Sequence, residues 1–377
     1  MKILFISHSS VIPTYREKLS LLAKNKNVEL TLLLPSAWPE AGRRIITRNQ
    51  ETNIEGFRIL SRPIWLEGRL KRHFYPGFST VIKQVNPDII HIEEEPYSLV
   101  AWQAARAAKQ TKAHLIFFTW ENLLERFGFP HQAIRQYVLD TAAHAIAGDL
   151  EAGQLLQKAG VTPERISIIP QYGVNPSLFR KKNVAKLKKE LALGAFTVGY
   201  VGRLVPEKGI QTLLESFSKL KGTQNTLLIL GSGPLLESLK TRSAELGIEK
   251  QVRWVSALDQ TLVPDYLNCM DTLVLPSLTT SRWKEQFGRV LIEAQAGEVP
   301  VIGSSSGAIP EVIGRAGLIF PEGNVEELAQ HLQSLANSKT LRTKLGRLGK
   351  GQILKRYTNQ KIADSIYSIY QGLMRKE

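Results

Sequence analysis

Cysteine is nearly missing from this chain of 377 residues: Cys269, in an apolar stretch beside Leu267 and Met270, is the only one. A single thiol excludes a disulfide framework and a cysteine-based metal site, and it suits a buried spectator in a reducing compartment. Long apolar runs are missing too. None approaches the roughly 18 residues that a membrane-spanning helix needs, and the opening MKILFISHSS reads as a first strand, its apolar run being too short for a signal segment. Low-complexity tracts and short-period repeats do not occur. Acidic residues are in short supply, 34 against 49 lysines and arginines. That surplus favours anionic partners such as nucleotide phosphates or lipid head groups. Nucleic acid is disfavoured, because no basic helix–turn–helix or aromatic–basic motif pair is present.

What is there is a globular composition, 43% hydrophobic, in a chain longer than one core usually supports, so two domains are expected. Short apolar runs alternate with amphipathic stretches. KILFIS, VELTLLL, DIIHI, HLIFFTW, HAIAG and RISIIP predict strands in the first half, with helices near 15–24, 97–110, 133–142 and 149–159. The pattern pauses in the basic segment RKKNVAKLKKE, which places a linker near 175–195. It then restarts with FTVGYVG, TLLILG, VRWVS, TLVLP, VPVIG and GLIFP, helices lying between, and ends in a helical tail over 325–375. Strand–helix alternation of this kind predicts two doubly wound α/β domains.

Residues 271–313 are the most informative stretch. The run Leu273–Leu275 stops at Pro276-Ser277, a polar loop leads to Glu285-Gln286-Phe287-Gly288, the segment VLIEAQA has helical spacing, and Pro300–Gly303 starts another strand. In strand–loop–helix–strand units, ligands sit beyond the C-terminal strand ends, where free N–H groups of the helix attract anions. Glu285 stands just before that helix, and Glu293 is expected about two turns along it. Two acids beside an anion site suit a ligand that carries hydroxyls around its phosphates. A nucleotide sugar meets that description. Upstream, VGYVG ends at Gly202, followed by Arg203 and, after a tight turn, Lys208. A fork and a point charge able to converge on one anion are a common pair for a diphosphate. Gly231-Ser232-Gly233-Pro234 is a further glycine turn between a strand and a helix.

These motifs together resemble the retaining GT-B glycosyltransferases of family 4 (glycosyl transferases group 1). Glu285 and Glu293 match its acid–seven residues–acid signature, with Phe287-Gly288 in place and Pro310-Glu311 following. Gly202-Arg203-Leu204 with Glu207-Lys208-Gly209 resembles its glycine–arginine–leucine and lysine–glycine loop. Pro170, Gly173-Val174-Asn175 and Phe179 resemble the segment closing the first domain. The resemblance implies two Rossmann-like domains facing each other across a cleft. It places an acceptor-binding domain at 1–175, a nucleotide-sugar domain at 176–355, and a C-terminal helix at 356–377 crossing back to the first domain. It makes Arg203 and Lys208 the stabilisers of the leaving diphosphate, Glu285 the contact to donor-sugar hydroxyls, and Glu293 the partner of ribose hydroxyls. Backbone N–H groups of Phe287, Gly288, Arg289 and Val290, with Gln286 beside them, would meet phosphate or sugar. Gly231, Gly233, Ser256 and Leu258 would line the nucleotide, although Trp254–Leu258 lacks the usual phenylalanine–leucine–glycine.

The first domain departs from the pattern. His8 to Arg16 stands where many relatives have a glycine-rich turn, and Trp120-Glu121-Asn122 stands where many have a histidine. Glu121 is a candidate for the histidine's role, and Trp120 could stack on a sugar face, against the plainer readings of a core tryptophan and a helix-start acid. Glu93-Glu94-Glu95 reads first as a solvated charge run; Glu95, His8 and Tyr15 are the acceptor-side candidates. Arg62–Phe78 mixes Arg69, Lys71, Arg72 and His73 with Trp65, Phe74, Tyr75 and Phe78. It suits a membrane surface or a loop folded against its own domain.

The expected activity is therefore sugar transfer from a nucleotide-diphosphate sugar to a saccharide or lipid-linked acceptor hydroxyl, with retention, in polysaccharide or glycolipid assembly. Arg203 and Lys208 would replace a divalent ion, since no Asp-x-Asp motif stands beside these strands. No cofactor and no metal ligand set is expected. The location expected is cytoplasmic, with peripheral contact to an anionic membrane. Two alternatives stay open: an epimerase or phosphorylase of the same fold, and a catalytically silent nucleotide-sugar or polyanion-binding protein.

Overall fold

A computed structural model describes the chain apart from residues 41–42, 48–50, 55, 125–126, 223, 257 and 376–377. It divides into two compact units, Met1–Gly173 with Asn359–Glu377, and Val174–Thr358.

The first unit holds ten described strands: β1 (Lys2–Ile6), β2 (Glu29–Pro35), β3 (Ala37–Glu40), β4 (Arg43–Ile46), β5 (Glu51–Ile54), β6 (Phe57–Arg62), β7 (Ile89–Ile92), β8 (His114–Thr119), β9 (His144–Ala147) and β10 (Ile166–Ile168). Its main sheet runs β10-β9-β8-β7-β1-β2-β6-β5, parallel except for β5, while β3 and β4 form a separate antiparallel ribbon. Because side chains alternate along a strand, β1 serves both faces. Leu4 and Ile6 pack under helices 78–85, 99–111, 131–141 and 150–158; Ile3 and Phe5 pack under helices 17–23 and 359–374. The last helix is anchored in that second layer by Ile362, Ile366 and Tyr370, whose hydroxyl lies 2.7 Å from His91 Nδ1.

The second unit is a six-stranded parallel sheet of β11 (Phe196–Val201), β12 (Asn225–Leu230), β13 (Val252–Val255), β14 (Thr272–Leu275), β15 (Val301–Ser304) and β16 (Gly317–Phe320), in the order β13-β12-β11-β14-β15-β16. Phe196, Val198 and Tyr200 pack against helices 210–218, 236–245 and 325–337. In both sheets the first strand has the second on one side and a later one on the other. The order of winding therefore reverses between β1 and β7, and again between β11 and β14. At such switch points adjacent loops part and leave a crevice beyond the strand ends. All twelve strands expected from apolar runs are present. The ribbon β3–β4, the pair β5–β6 and the helix Phe78–Val85 are additional, and a short helix, Ala185–Glu190, lies within the segment expected to be a linker.

Candidate active site

At the switch point of the second unit, backbone segments approach too closely for any side chain. A Cβ on Gly231 would lie 1.9 Å from the carbonyl oxygen of Gly202, and one on Gly233 2.4 Å from that of Leu204. The loop after β11 is laced to the loop after β12 by Leu204 N–H donating to Ser232 O (2.9 Å) and Leu235 N–H donating to Leu204 O (3.1 Å). Buried Tyr200 donates its hydroxyl to Arg203 O at 2.8 Å, fixing the turn from below. Gly209, at φ +62°, leaves the short 3-10 turn Pro206–Lys208 against the end of β14.

That turn aims Lys208 across the switch point. Its ammonium donates to Glu285 Oε2 at 2.5 Å and lies 4.7 Å from the centre of the Trp283 ring. Ser277, at the end of β14, donates to the same carboxylate oxygen at 2.8 Å. The Glu285 main chain is clamped from the next loop by Ala308 N–H donating to its carbonyl at 3.0 Å. Glu285 is thus buried and ion-paired, held by the loops after β11, β14 and β15.

Gly288, at φ +76°, opens the helix Arg289–Ala296, and no side chain caps its first turn. The N–H groups of the first turn carry the positive end of the helix dipole. Phe287 is buried with its ring 5.8 Å from that of Tyr357, whereas Gln286 is exposed. Glu293 lies little more than one turn into the helix, not two, and accepts from Arg289 Nε at 2.7 Å. Burial raises the Glu293 carboxyl above its ordinary range, with the Arg289 charge opposing.

Arg203 does not converge with Lys208. Its side chain is 68% exposed and leans towards Glu207 at 3.8 Å, because the strand end and the following turn send the two cations in different directions. Ser256 is exposed and Leu258 half-buried beyond β13; Ala257 between them lies outside the described residues.

The switch point of the first unit is built differently. The run Glu93-Glu94-Glu95 is not a solvated loop: it follows β7 directly and each carboxylate has its own partners. Glu93 pairs with fully buried Lys18 and accepts from Gln171 (3.2 Å). Glu94 accepts from the His8 main-chain N–H at 2.8 Å and lies 2.8 Å from His8 Nδ1. Glu95 accepts from the Thr119 hydroxyl (2.5 Å) and the Trp120 N–H (2.8 Å). Burial pushes the Glu95 carboxyl up to about 7, against those hydrogen bonds and with help from the charges of Glu121 and Glu94. Burial would raise Glu94 as well, yet the charges of His8 and His73 outweigh it and hold that carboxyl well below the carboxylate range.

Trp120 lies edge-on to Phe118 (5.1 Å), donates its indole N–H to Gln171 (2.8 Å), and its ring occupies the space a side chain on Gly148 would need. Glu121 is buried with Arg135 Nε 3.2 Å from its Oε2. Tyr15 packs on Tyr172 at 4.5 Å. Two residues in this cluster were not singled out for chemistry by the sequence pattern. His73 comes from the basic–aromatic segment, where it is fully buried beside Glu94, and Trp38 comes from β3. The remainder of that segment divides: Tyr75 and Phe78 are buried, while Trp65, Leu66, Arg69, Leu70 and Arg72 are exposed.

Residues 181–352 match the family model described as "Glycosyl transferases group 1", and they fall within the second unit. The capsular polysaccharide biosynthesis glycosyltransferase CapM of Staphylococcus aureus is 32% identical over 185 residues, covering 48% of this chain and 47% of that protein. The N-acetyl-α-D-glucosaminyl L-malate synthase of Bacillus anthracis is 26% identical, covering 54% and 53%. The chain thus spans about half the length of the curated relatives it matches. Over its whole length it shares the GT-B glycosyltransferase fold. HepE of Anabaena, crystallised with UDP, aligns with a TM-score of 0.77 at 19% identity, covering 99% of this chain and 100% of that one. A sucrose-phosphate synthase of Thermosynechococcus elongatus aligns with a TM-score of 0.76 at 19% identity, covering 100% and 99%.

Proposed function

We propose that the chain transfers a sugar from a nucleoside-diphosphate sugar to an acceptor hydroxyl, with retention of anomeric configuration, in the assembly of a polysaccharide or glycolipid. The observation that carries this reading is the Lys208–Glu285 pair at the β11–β14 switch point, beside the uncapped start of the helix at Arg289. In this reading the diphosphate lies along the helix start. Lys208 and the N–H groups of the helix's first turn neutralise the charge that develops as the bond from the anomeric carbon to the diphosphate oxygen breaks. Each such donor is worth about 3–4 kcal/mol. Arg203, on its exposed side chain, folds over the phosphates, so that two cations take the place of a divalent ion at this step. Glu285 holds donor-sugar hydroxyls, and Glu293 exchanges Arg289 for the ribose hydroxyls.

The acceptor hydroxyl attacks the same face of the sugar and gives its proton to the departing phosphate oxygen. His8, Tyr15, Glu95 and Trp120 are the acceptor-side candidates, with Glu121 in the place where relatives carry a histidine. That HepE was crystallised with UDP, and that CapM is named for capsular polysaccharide biosynthesis, supports the donor class and the product class.

The test is turnover with a panel of nucleotide sugars. Lys208→Ala and Glu293→Ala should each lower product formation by about a hundredfold to a thousandfold with the fold intact by circular dichroism. Normal rates in both variants reject the site. The exposed Trp65, Leu66 and Leu70 beside Arg69 and Arg72 support peripheral attachment to an anionic bilayer, where a lipid-linked acceptor would reside.

A further inference from the structure

We propose that His8, His73 and Glu94, at the β1–β7 switch point of the first unit, form a binding site for a divalent transition ion of the zinc type. The three side chains come from separate segments: the end of β1, the basic–aromatic loop before helix 78–85, and the end of β7. One ligand atom from each lies within 4.8 Å of the others. Donors bound at about 2.1 Å to one ion stand at most about 4.2 Å apart, so side-chain shifts of about half an ångström complete the geometry.

The state of His73 points to a cation. Its ring is fully buried, and Nδ1 faces the Arg69 carbonyl oxygen at 3.2 Å, to which it can only donate. This is the arrangement by which a ligating imidazole is oriented through its other nitrogen. In the neutral ring Nε2 then carries the lone pair. It is aimed at Glu94 Oε2 at 3.7 Å, too far for a hydrogen bond, and it has no partner among the described residues. A neutral imidazole's lone pair facing an ionised carboxylate is repulsive, so either a proton on Nε2 or a bound cation stands between them. Among the described residues the buried Lys18 ammonium is not available for that role, being committed to Glu93 and the Gln171 carbonyl.

The site is also rigid. The Trp38 ring packs against both imidazoles, with centroids 4.7 Å from His8 and 4.8 Å from His73. Two imidazoles and one carboxylate suit zinc or its neighbours and not magnesium, which prefers an all-oxygen shell. Glu94 and His73 are sealed, whereas the His8 side chain is 18% exposed, so a fourth position for water or a hydroxyl lies on the His8 side. The ion shares His8 with the acceptor-side candidates, but its binding needs no sugar donor.

Calorimetric titration of the full chain with Zn²⁺ tests it. One tight site is expected in the wild type, weakened at least about 100-fold in His73→Gln and Glu94→Gln, unchanged in His331→Gln, and not filled by Mg²⁺. Co²⁺ provides a second reading on the unaltered chain. Loading should give a visible ligand-field band and quench tryptophan fluorescence, and Trp38→Phe should remove most of that quenching. Absence of a stoichiometric site in the wild type overturns the proposal. So does a site that survives in folded His73→Gln and Glu94→Gln, or quenching that persists in Trp38→Phe.

Discussion

The two switch points share a winding order and differ in almost everything placed upon it. In the second unit main-chain segments meet closely at Gly231 and Gly233, where a Cβ would strike the Gly202 and Leu204 backbone, and one ion pair, Lys208–Glu285, crosses the switch point. In the first unit the corresponding space is filled with side chains, namely three consecutive glutamates, two histidines, a buried lysine and two tryptophans. Each glutamate is committed to separate partners. A glycine-walled crevice beside a helix start accepts a large anion with little displacement. A packed crevice of titratable groups recognises small polar groups and protons. In the proposed reading, donor phosphates lie at the first kind of site and acceptor hydroxyls at the second.

The sharpest way to break this contrast is at Lys208. Lys208→Ala should lower kcat by about a thousandfold, roughly 4 kcal/mol, whereas His331→Gln should leave it unchanged; steady-state kinetics with the preferred donor decide the matter. Next in size is the main-chain approach. Gly231→Ala forces a Cβ to within 1.9 Å of the Gly202 oxygen, and urea unfolding should show a loss of about 2–4 kcal/mol. Gly160→Ala in the first unit meets nothing within 4 Å, and should cost less despite its positive φ.

A third experiment sharpens the chemistry of the first unit. Glu95 titrates near 7 in the folded chain against 4.5 as the ordinary value. Between those values the folded chain keeps a proton that the unfolded chain releases. Stability is therefore full below about pH 4.5 and falls as pH rises through 7. Glu95→Gln, which mimics the protonated acid, should match the wild type at pH 4.5 and exceed it at pH 8 by about 2–3 kcal/mol, read from urea midpoints. The smallest effect concerns the exposed turn. Neutralising Arg69 and Arg72 should weaken binding to anionic vesicles by about 1 kcal/mol per charge, with no change towards neutral vesicles; equal partition of variant and wild type would remove the membrane contact. Lys71 should matter less, since its ammonium is stacked over Tyr97 and Phe127 at 5.2 and 4.8 Å.

Legibility in the sequence followed the same divide. Central parallel strands such as Leu227–Leu230 and Leu273–Leu275 are buried on both faces, so they stand out as unbroken apolar runs. The strands β3, β4 and β5 were hidden because they are short and polar, and β3 carries Pro39 in an edge position. On the second unit the site could be read in advance, because its residues fall in compact motifs: Gly202 to Lys208, and Glu285 to Glu293. The divergence of Arg203 from Lys208 could not, since side-chain direction at a strand end depends on the turn that follows. On the first unit the cluster of His8, His73, Glu94 and Trp38 spans 87 positions, from 8 to 94, with no spacing rule to join them. Only the parallel order of β1 and β7 and the placement of the ribbon bring these residues together.

The most direct test of the account is binding of the nucleoside diphosphate alone. Thermal unfolding of the full chain should be followed with UDP and GDP, comparing the wild type with Lys208→Ala, Glu293→Ala, His73→Gln and Glu95→Gln. Since a ligand that binds only the folded state raises its apparent stability, one diphosphate should raise the Tm of the wild type, His73→Gln and Glu95→Gln by a common increment, and leave Lys208→Ala and Glu293→Ala unmoved. An increment that survives in Lys208→Ala and Glu293→Ala but disappears in the first-unit variants would contradict it.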